Sequence, residues 1–298
     1  MSDDGAHDDW QDLFVPASDG LRLHVRQYGS RTAPGTPIIC LPGLSRTVAD
    51  FDALAPALAT NSGLFRRVVA IDSRGRGLSD YDSNPKNYNL AVELADVVTV
   101  LTALEVKPAI FIGSSRGGIL TMLMGVAHPG ALAGVVLHDI GPVIEPRGLA
   151  RIKSYLGKMP RPRTLVEGAE ILERLFATQF PRFTAEQWHT AAQRAWRLRN
   201  GEIEPTYDIR LSDTLADFDV GHSLPSLWNE FDSLARLPLL VIRGAKSDIL
   251  LKTTLDAMAA RHPGMQSIEV PDEGHVPSLE GDVVAEISRF VATCDAGP

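Results

Sequence analysis

Cysteine is scarce: Cys40 and Cys294 are the only 2 in 298 residues. A disulfide framework is therefore not expected, and a reducing compartment, the cytoplasm, fits. Cys40 lies in an apolar run, where a thiol behaves as a small hydrophobe, and Cys294 lies near the C-terminus. No stretch approaches the 18 or so consecutive apolar residues of a membrane-spanning helix. The opening, Met1-Ser2-Asp3-Asp4-Gly5-Ala6-His7-Asp8-Asp9, is acidic and lacks the basic start and apolar run of a secretory signal. Residues 1–10 are expected to form a mobile tail. Basic charge is in deficit: 29 Lys and Arg face 37 Asp and Glu, a net charge of −8. That balance argues against a general nucleic-acid or membrane-surface role. Metal-ligand spacings are missing as well, with no His-x-His, no His-Glu-x-x-His and no paired cysteines. There is no internal repeat and no low-complexity block.

What remains is an ordinary globular composition, 44% apolar and 22% charged, in a chain long enough for one large α/β domain or one domain with an insertion. The chain is organised around Ile110-Phe111-Ile112-Gly113-Ser114-Ser115-Arg116-Gly117-Gly118-Ile119. A strand-like apolar run enters Gly-x-Ser-x-Gly, and a helical pattern leaves it through Leu120, Met122, Leu123 and Val126. A nucleophile elbow needs this strand–tight turn–helix context, with small residues where a Cβ would strike the neighbouring strand and helix. The pattern predicts that Ser115 projects its hydroxyl from the carboxyl edge of a parallel sheet.

Either side of the elbow, strands alternate with helices. Residues 12–15 and 21–28 read as an edge hairpin turned at Asp19-Gly20, with Leu21, Leu23 and Val25 facing inward and His24 on the solvated side. Ile38-Ile39-Cys40-Leu41 reads as the first buried parallel strand, followed by Pro42-Gly43-Leu44-Ser45-Arg46-Thr47 and a helix over about 48–59. Residues 67–71 are another strand. Asp72-Ser73-Arg74-Gly75-Arg76-Gly77-Leu78-Ser79-Asp80 after it reads as a structural turn, since it lacks the G-x-G-x-x-G spacing of a nucleotide loop. A helix is predicted over 90–104, and a strand over 134–137 that ends at His138-Asp139.

The rhythm then changes. Residues 143–231 contain no convincing buried strand and give amphipathic helices near 149–156, 165–176, 185–198 and 211–218, with three of the 4 tryptophans. This stretch is expected to be a helical cap inserted into a core of residues 11–142 and 232–294. After it come a strand at 237–242 leading to Gly244-Ala245-Lys246-Ser247-Asp248, a helix at 252–260, a strand at 267–270 leading to Glu273-Gly274-His275-Val276-Pro277, and a last helix at 278–291. Such alternation implies a mostly parallel central sheet flanked by helices, with ligands beyond the carboxyl ends of the strands.

A serine hydroxyl is a weak nucleophile until a base takes its proton, and the base needs an orienting acid. Ser115, Asp248 and His275 each follow a predicted parallel strand and so share one sheet edge. Their chain order is that of the α/β-hydrolase fold. With Leu41-Pro42-Gly43-Leu44 and the Asp72–Ser79 turn, these motifs make nearly the whole chain resemble α/β-hydrolase-fold serine hydrolases that carry a helical cap. The resemblance implies Ser115 as nucleophile, His275 as general base and Asp248 as its acid. It also implies an oxyanion hole made by the backbone N–H groups of Arg116 and Leu44. Many family members have His-Gly in that first loop; here it is Pro42-Gly43, which keeps the backbone donor. A serine rather than an aspartate at the elbow speaks against the dehalogenase and epoxide-hydrolase branches.

Several residues leave alternatives. Asp139 also follows a strand and could serve as the acid from a displaced position, although Asp248 sits at the family's usual place. His138 is read as structural, Ser114 as facing away from the nucleophile's side, and His189 and His222 as surface or helix-packing residues. Arg116 could pair with a substrate carboxylate, but an internal ion pair is preferred. The expected activity is hydrolysis of a small-molecule carboxylic ester or lactone through an acyl-enzyme, with no cofactor and no metal. Carbon–carbon bond hydrolysis of a diketone-type substrate and a non-catalytic binding module are the alternatives. No nucleic-acid partner is expected, and a homo-oligomer is left open.

Overall fold

A computed structural model describes residues 10–60, 64–221 and 224–295. The expected mobile tail lies almost wholly outside the described residues, as does His222. Ten strands are present among the described residues: β1 (Trp10–Pro16), β2 (Arg22–Tyr28), β3 (Ile38–Leu41), β4 (Val68–Ile71), β5 (Ala109–Ser114), β6 (Leu132–His138), β7 (Trp196–Arg199), β8 (Glu202–Pro205), β9 (Leu239–Gly244) and β10 (Gln266–Val270). Eight form one sheet in the order β1-β2-β4-β3-β5-β6-β9-β10. The β1–β2 and β2–β4 pairs are antiparallel and the remainder parallel.

The parallel strands are apolar on both faces, and their period of two divides the interior into two cores. On β3, Ile39 and Leu41 join one cluster while Ile38 and Cys40 join the other. β4, β5, β6 and β9 repeat the alternation. One face is covered by α1 (Leu54–Thr60) and α9 (Asp282–Asp295). The other is covered by α2 (Leu90–Ala103), α3 (Arg116–Ala127), α7 (Trp228–Asp232) and α8 (Lys252–Arg261). At about 25 cal/mol per Å² of apolar surface, this two-sided burial is the main term that holds the sheet.

Between β6 and β9 the chain leaves the sheet for α4 (Pro146–Tyr155), α5 (Leu165–Phe176), α6 (Ala185–Ala195), the β7–β8 hairpin and α7. Its residues Ile171, Leu172, Phe180, Trp188, Ala192 and Trp196 form a separate small core.

Three expectations need correction. The helix predicted over 48–59 is a 3₁₀ turn at Val48–Phe51 followed by α1. Pro56 has no N–H to give to residue 52, so it fits the first turn of a helix but not its interior. The helix predicted over 185–198 stops at Ala195, and Trp196–Arg199 pairs with Glu202–Pro205 instead. Asn200-Gly201 turns this hairpin with φ of 51° and 83°, as a two-residue loop of the favoured twist requires. His24 is not solvated: it is 0% exposed. Its Nδ1 lies 2.7 Å from Asp72 and its Nε2 3.0 Å from Asp12. Asp12 on β1 and the Asp72–Asp80 turn after β4 close over the face that alternation alone assigned to water.

Candidate active site

The elbow joins β5 to α3. Ser115 has φ 49° and ψ −113°, a backbone strained for a residue with a side chain. The two flanking glycines make this turn sterically feasible. A Cβ on Gly113 would lie 2.5 Å from the carbonyl oxygen of Gly117, and one on Gly117 would lie 2.0 Å from that of Leu41. Ser115 Oγ is 2.9 Å from His275 Nε2. His275 follows β10, and its Nδ1 is 2.7 Å from Asp139 Oδ2.

Asp139 follows β6 and is 0% exposed. Its carboxylate also accepts hydrogen bonds from Ser247 Oγ at 2.6 Å and from the Gly244 backbone N–H at 2.8 Å. The acid beside the histidine is therefore Asp139, and the expectation for Asp248 is corrected. Both Asp248 oxygens are taken by Arg151, Nε at 2.6 Å and Nη2 at 2.8 Å. Burial pushes the Asp248 carboxyl up, but Arg151 outweighs it and holds it below the usual range. Asp248 serves instead as the contact for α4: a Cβ on Gly148 would stand 2.1 Å from its carbonyl oxygen, so only glycine admits this approach. The end of β9 and the loop after it still hold Asp139, through Gly244 and Ser247.

Ser114 turns its hydroxyl to His138 Nδ1 at 3.0 Å. Burial pushes His138 down to about 4, so it stays neutral near pH 7. The Arg116 side chain pairs internally, Nε donating to Glu93 at 2.6 Å. Its backbone N–H opens α3, where a first-turn donor has no intrahelical acceptor. Leu44 follows β3 and lines the same cavity as Ser115 and His275. His189 is half-buried on α6 and outside that cavity.

The cavity measures about 620 Å³. The sheet edge supplies its floor, with Ser115 and His275. The segment between β6 and β9 supplies an apolar wall that includes Leu172, Phe176, Phe180, Phe183 and Trp188. Sequence reasoning missed this wall, because periodicity marks these residues as apolar without saying which face a void. It also missed two buried arginines in the 72–80 turn, Arg74 and Arg76, each 1% exposed. Arg74 is held by Asp96, Asp82 and Asp19. Among the described residues no group of three or more His, Cys, Asp or Glu is placed to hold a metal ion. No helix there is long and apolar enough to cross a membrane.

Comparison with known proteins agrees with this architecture. Residues 38–287 match the model of the alpha/beta hydrolase family. A 3-hydroxybutyrate-oligomer hydrolase of Cupriavidus necator is 33% identical over 277 residues, covering 89% of this chain and 92% of its own. The 2-(acetamidomethylene)succinate hydrolase of Mesorhizobium japonicum is 24% identical over 257 residues, 86% of this chain and 85% of its own. Among solved structures, an alpha/beta hydrolase from Novosphingobium aromaticivorans superposes with a TM-score of 0.89 at 36% identity, covering 96% of this chain and 99% of its own. On the family match and the extent of these relatives, the chain is a member of the alpha/beta hydrolase family.

Proposed function

We propose that this hydrolase cleaves carboxylic esters through an acyl-enzyme on Ser115, with His275 as base and Asp139 as the acid that orients it. The observation that carries the reading is the continuous chain from Ser115 Oγ to His275 (2.9 Å) and on to Asp139 (2.7 Å), open to a cavity. Asp139 accepts the Nδ1–H of His275, which leaves Nε2 free to take the serine proton. Ser115 Oγ then bonds to the acyl carbon, and the carbonyl electron pair moves onto oxygen. The backbone N–H groups of Leu44 and Arg116 receive that oxyanion. Collapse expels the alkoxide, which takes the proton from His275 and leaves as the alcohol. In the second half His275 draws a proton from water, hydroxide adds to the acyl carbon, and the acid departs as Ser115 regains its proton.

The segment at 143–231 acts as a cap whose aromatic wall excludes water and holds the apolar part of the substrate. A linear oligomer of a hydroxy acid is joined by ester bonds, so the name of the Cupriavidus relative favours the ester reading over carbon–carbon cleavage. Short oligoesters of hydroxy acids head the substrate panel, with lactones beside them.

The test is intact-mass spectrometry after treatment with a fluorophosphonate, followed by the ester panel. A single adduct is expected on the wild type, absent in Ser115→Ala and formed ~10³-fold more slowly in His275→Ala. A folded wild type that takes no adduct and hydrolyses no ester would sink the proposal.

A further inference from the structure

Glu93 connects the two residues to which the oxyanion donors are assigned. It is 1% exposed, in the first turn of α2. Its Oε1 accepts from Arg76 Nη1 at 2.8 Å, and its Oε2 accepts from Arg116 Nε at 2.6 Å. Arg76 in turn donates from Nε to the carbonyl oxygen of Leu44 at 2.8 Å. A single chain of charge-assisted bonds thus runs from the Leu44 carbonyl through Arg76 and Glu93 to Arg116. Its two ends are the two proposed donor residues. The Leu44 N–H and C=O belong to neighbouring peptide planes joined at one Cα, so fixing the carbonyl restrains the swing of the N–H.

Stability is a poor explanation for this arrangement. It buries two guanidinium groups on one carboxylate, and burying ions is often no better than apolar packing of the same volume. Arg76 Nη2 is buried without a hydrogen-bond partner among the described residues, which adds a further cost. What the cluster does supply is rigidity. Donors aimed at a developing charge are effective only if they are fixed before the reaction. Leu44 lies in a loop outside any helix or strand, where nothing regular would fix it.

We propose that Arg76 and Glu93 are positioning residues that hold Leu44 and Arg116 in register as a two-donor oxyanion hole. The inference rests on the serine-hydrolase reading above and adds residues that touch no substrate. It requires the fork of Arg76, since Nε and Nη1 serve different partners; a lysine supplies the charge without the two fixed directions.

The experiment measures steady-state ester hydrolysis and the rate of fluorophosphonate labelling on wild type, Arg76→Met, Arg76→Lys, Glu93→Gln and Arg116→Met, each below its melting temperature. Expected for Arg76→Met, Arg76→Lys and Glu93→Gln is a fall in kcat of ~10- to 100-fold with KM within ~3-fold. The labelling rate falls in step, because the phosphonyl oxygen uses the same donors. Arg116→Met, which cuts the other end at a half-buried side chain, is expected to lower kcat by ~10-fold. Should Arg76→Met fail to fold, Arg76→Lys and Arg116→Met decide between the outcomes. Wild-type kcat in those two variants overturns the proposal, and so does full rescue by Arg76→Lys, which would make charge and not position the cause. Failure of the underlying reading looks different: the wild type is then not labelled, and Ser115→Ala keeps its activity.

Discussion

At the scale of residues, the choice between two carboxylates is instructive. Asp139 and Asp248 follow adjacent strands of the sheet, and both loops reach the edge where His275 sits. The family's usual place favours Asp248, since either carboxylate satisfies the Ser–Asp–His order, and nothing in the local sequence tells the two apart. The difference comes from contacts distant in sequence: Ser247 and Gly244 aim Asp139, while Arg151 occupies Asp248. That Ser115 and His275 meet was legible, because each lies in a motif whose spacing is distinctive. The carboxylate beside His275 was not, because any carboxylate within reach of Nδ1 suffices. Asp139→Asn is expected to lower kcat by ~10³- to 10⁴-fold, since an amide there favours the wrong imidazole tautomer. Asp248→Asn should stay within ~10-fold. Paired kcat/KM measurements on one ester decide it, and the reverse ranking would return the role to Asp248.

Two histidines outside the proposed catalytic chain give the molecule opposite pH dependences. Burial pushes His24 down, but Asp72 and Asp12 outweigh it and the net direction is up. The folded state therefore holds this proton more tightly than the unfolded chain. Its stabilisation is complete below the ordinary value of ~6.5 and is lost as pH rises through the raised folded value. Burial pushes His138 down to about 4. Between ~6.5 and that value the unfolded chain binds a proton the native state refuses, so stability falls as pH falls through this window. Thermal melts at pH 5, 7 and 8.5 should show His24→Gln losing most relative to wild type at the acid end. His138→Asn should flatten the acid limb alone. Parallel curves for wild type and both variants would count against this account.

At the scale of elements, the glycines of the elbow set the geometry. The Cβ of an alanine at 117 would sit 2.0 Å from the Leu41 carbonyl oxygen, and β3 cannot retreat without disturbing its pairing with β5. Gly117→Ala is expected to cost ~2–4 kcal/mol and to abolish labelling of Ser115. Gly130→Ala, whose Cβ meets nothing within 4 Å, should stay within ~0.5 kcal/mol. Denaturant midpoints for the two variants check the contrast; equal midpoints would refute the steric reading. Most core elements were legible from period-two and helical patterning. The β7–β8 hairpin was missed although Asn200-Gly201 is a strong turn signal, because the apolar spacing of α6 runs on through Trp196 and Leu198. His24 was misplaced for a related reason: alternation tells faces apart but not whether a second layer covers the polar one.

At the scale of the whole molecule, the proposed cap has an apolar cluster of its own and is also packed onto the sheet side, where Leu156, Tyr207 and Leu211 meet Tyr88 and Leu44. The cap's apolar cluster around Trp188 and Trp196 is distinct from the two sheet cores. Partly exposed ion pairs help fasten it: Arg151 with Asp248, Arg194 with Glu280 at 3.2 Å, and Arg182 with Asp272 at 2.8 Å. Pairs of this exposure are worth ~0.2–1 kcal/mol each and weaken with salt. The bidentate Arg151–Asp248 pair, backed by the Gly148 approach, belongs at the upper end of that range. If the cap opens as a unit, removing one such pair raises the open fraction by up to ~5-fold. The effects of Arg151→Met and Arg194→Met should then multiply, because the pairs share no partner. Limited proteolysis reads this directly. The double variant is expected to be nicked first within 143–231 and several-fold faster than wild type, and 1 M NaCl should bring the wild-type rate toward the variant's. First cuts within 10–142 or 232–295, or rates insensitive to both substitutions and salt, would mean that cap and sheet open together. Apolar contact across the cavity, rather than charge, would then be what holds the roof over Ser115.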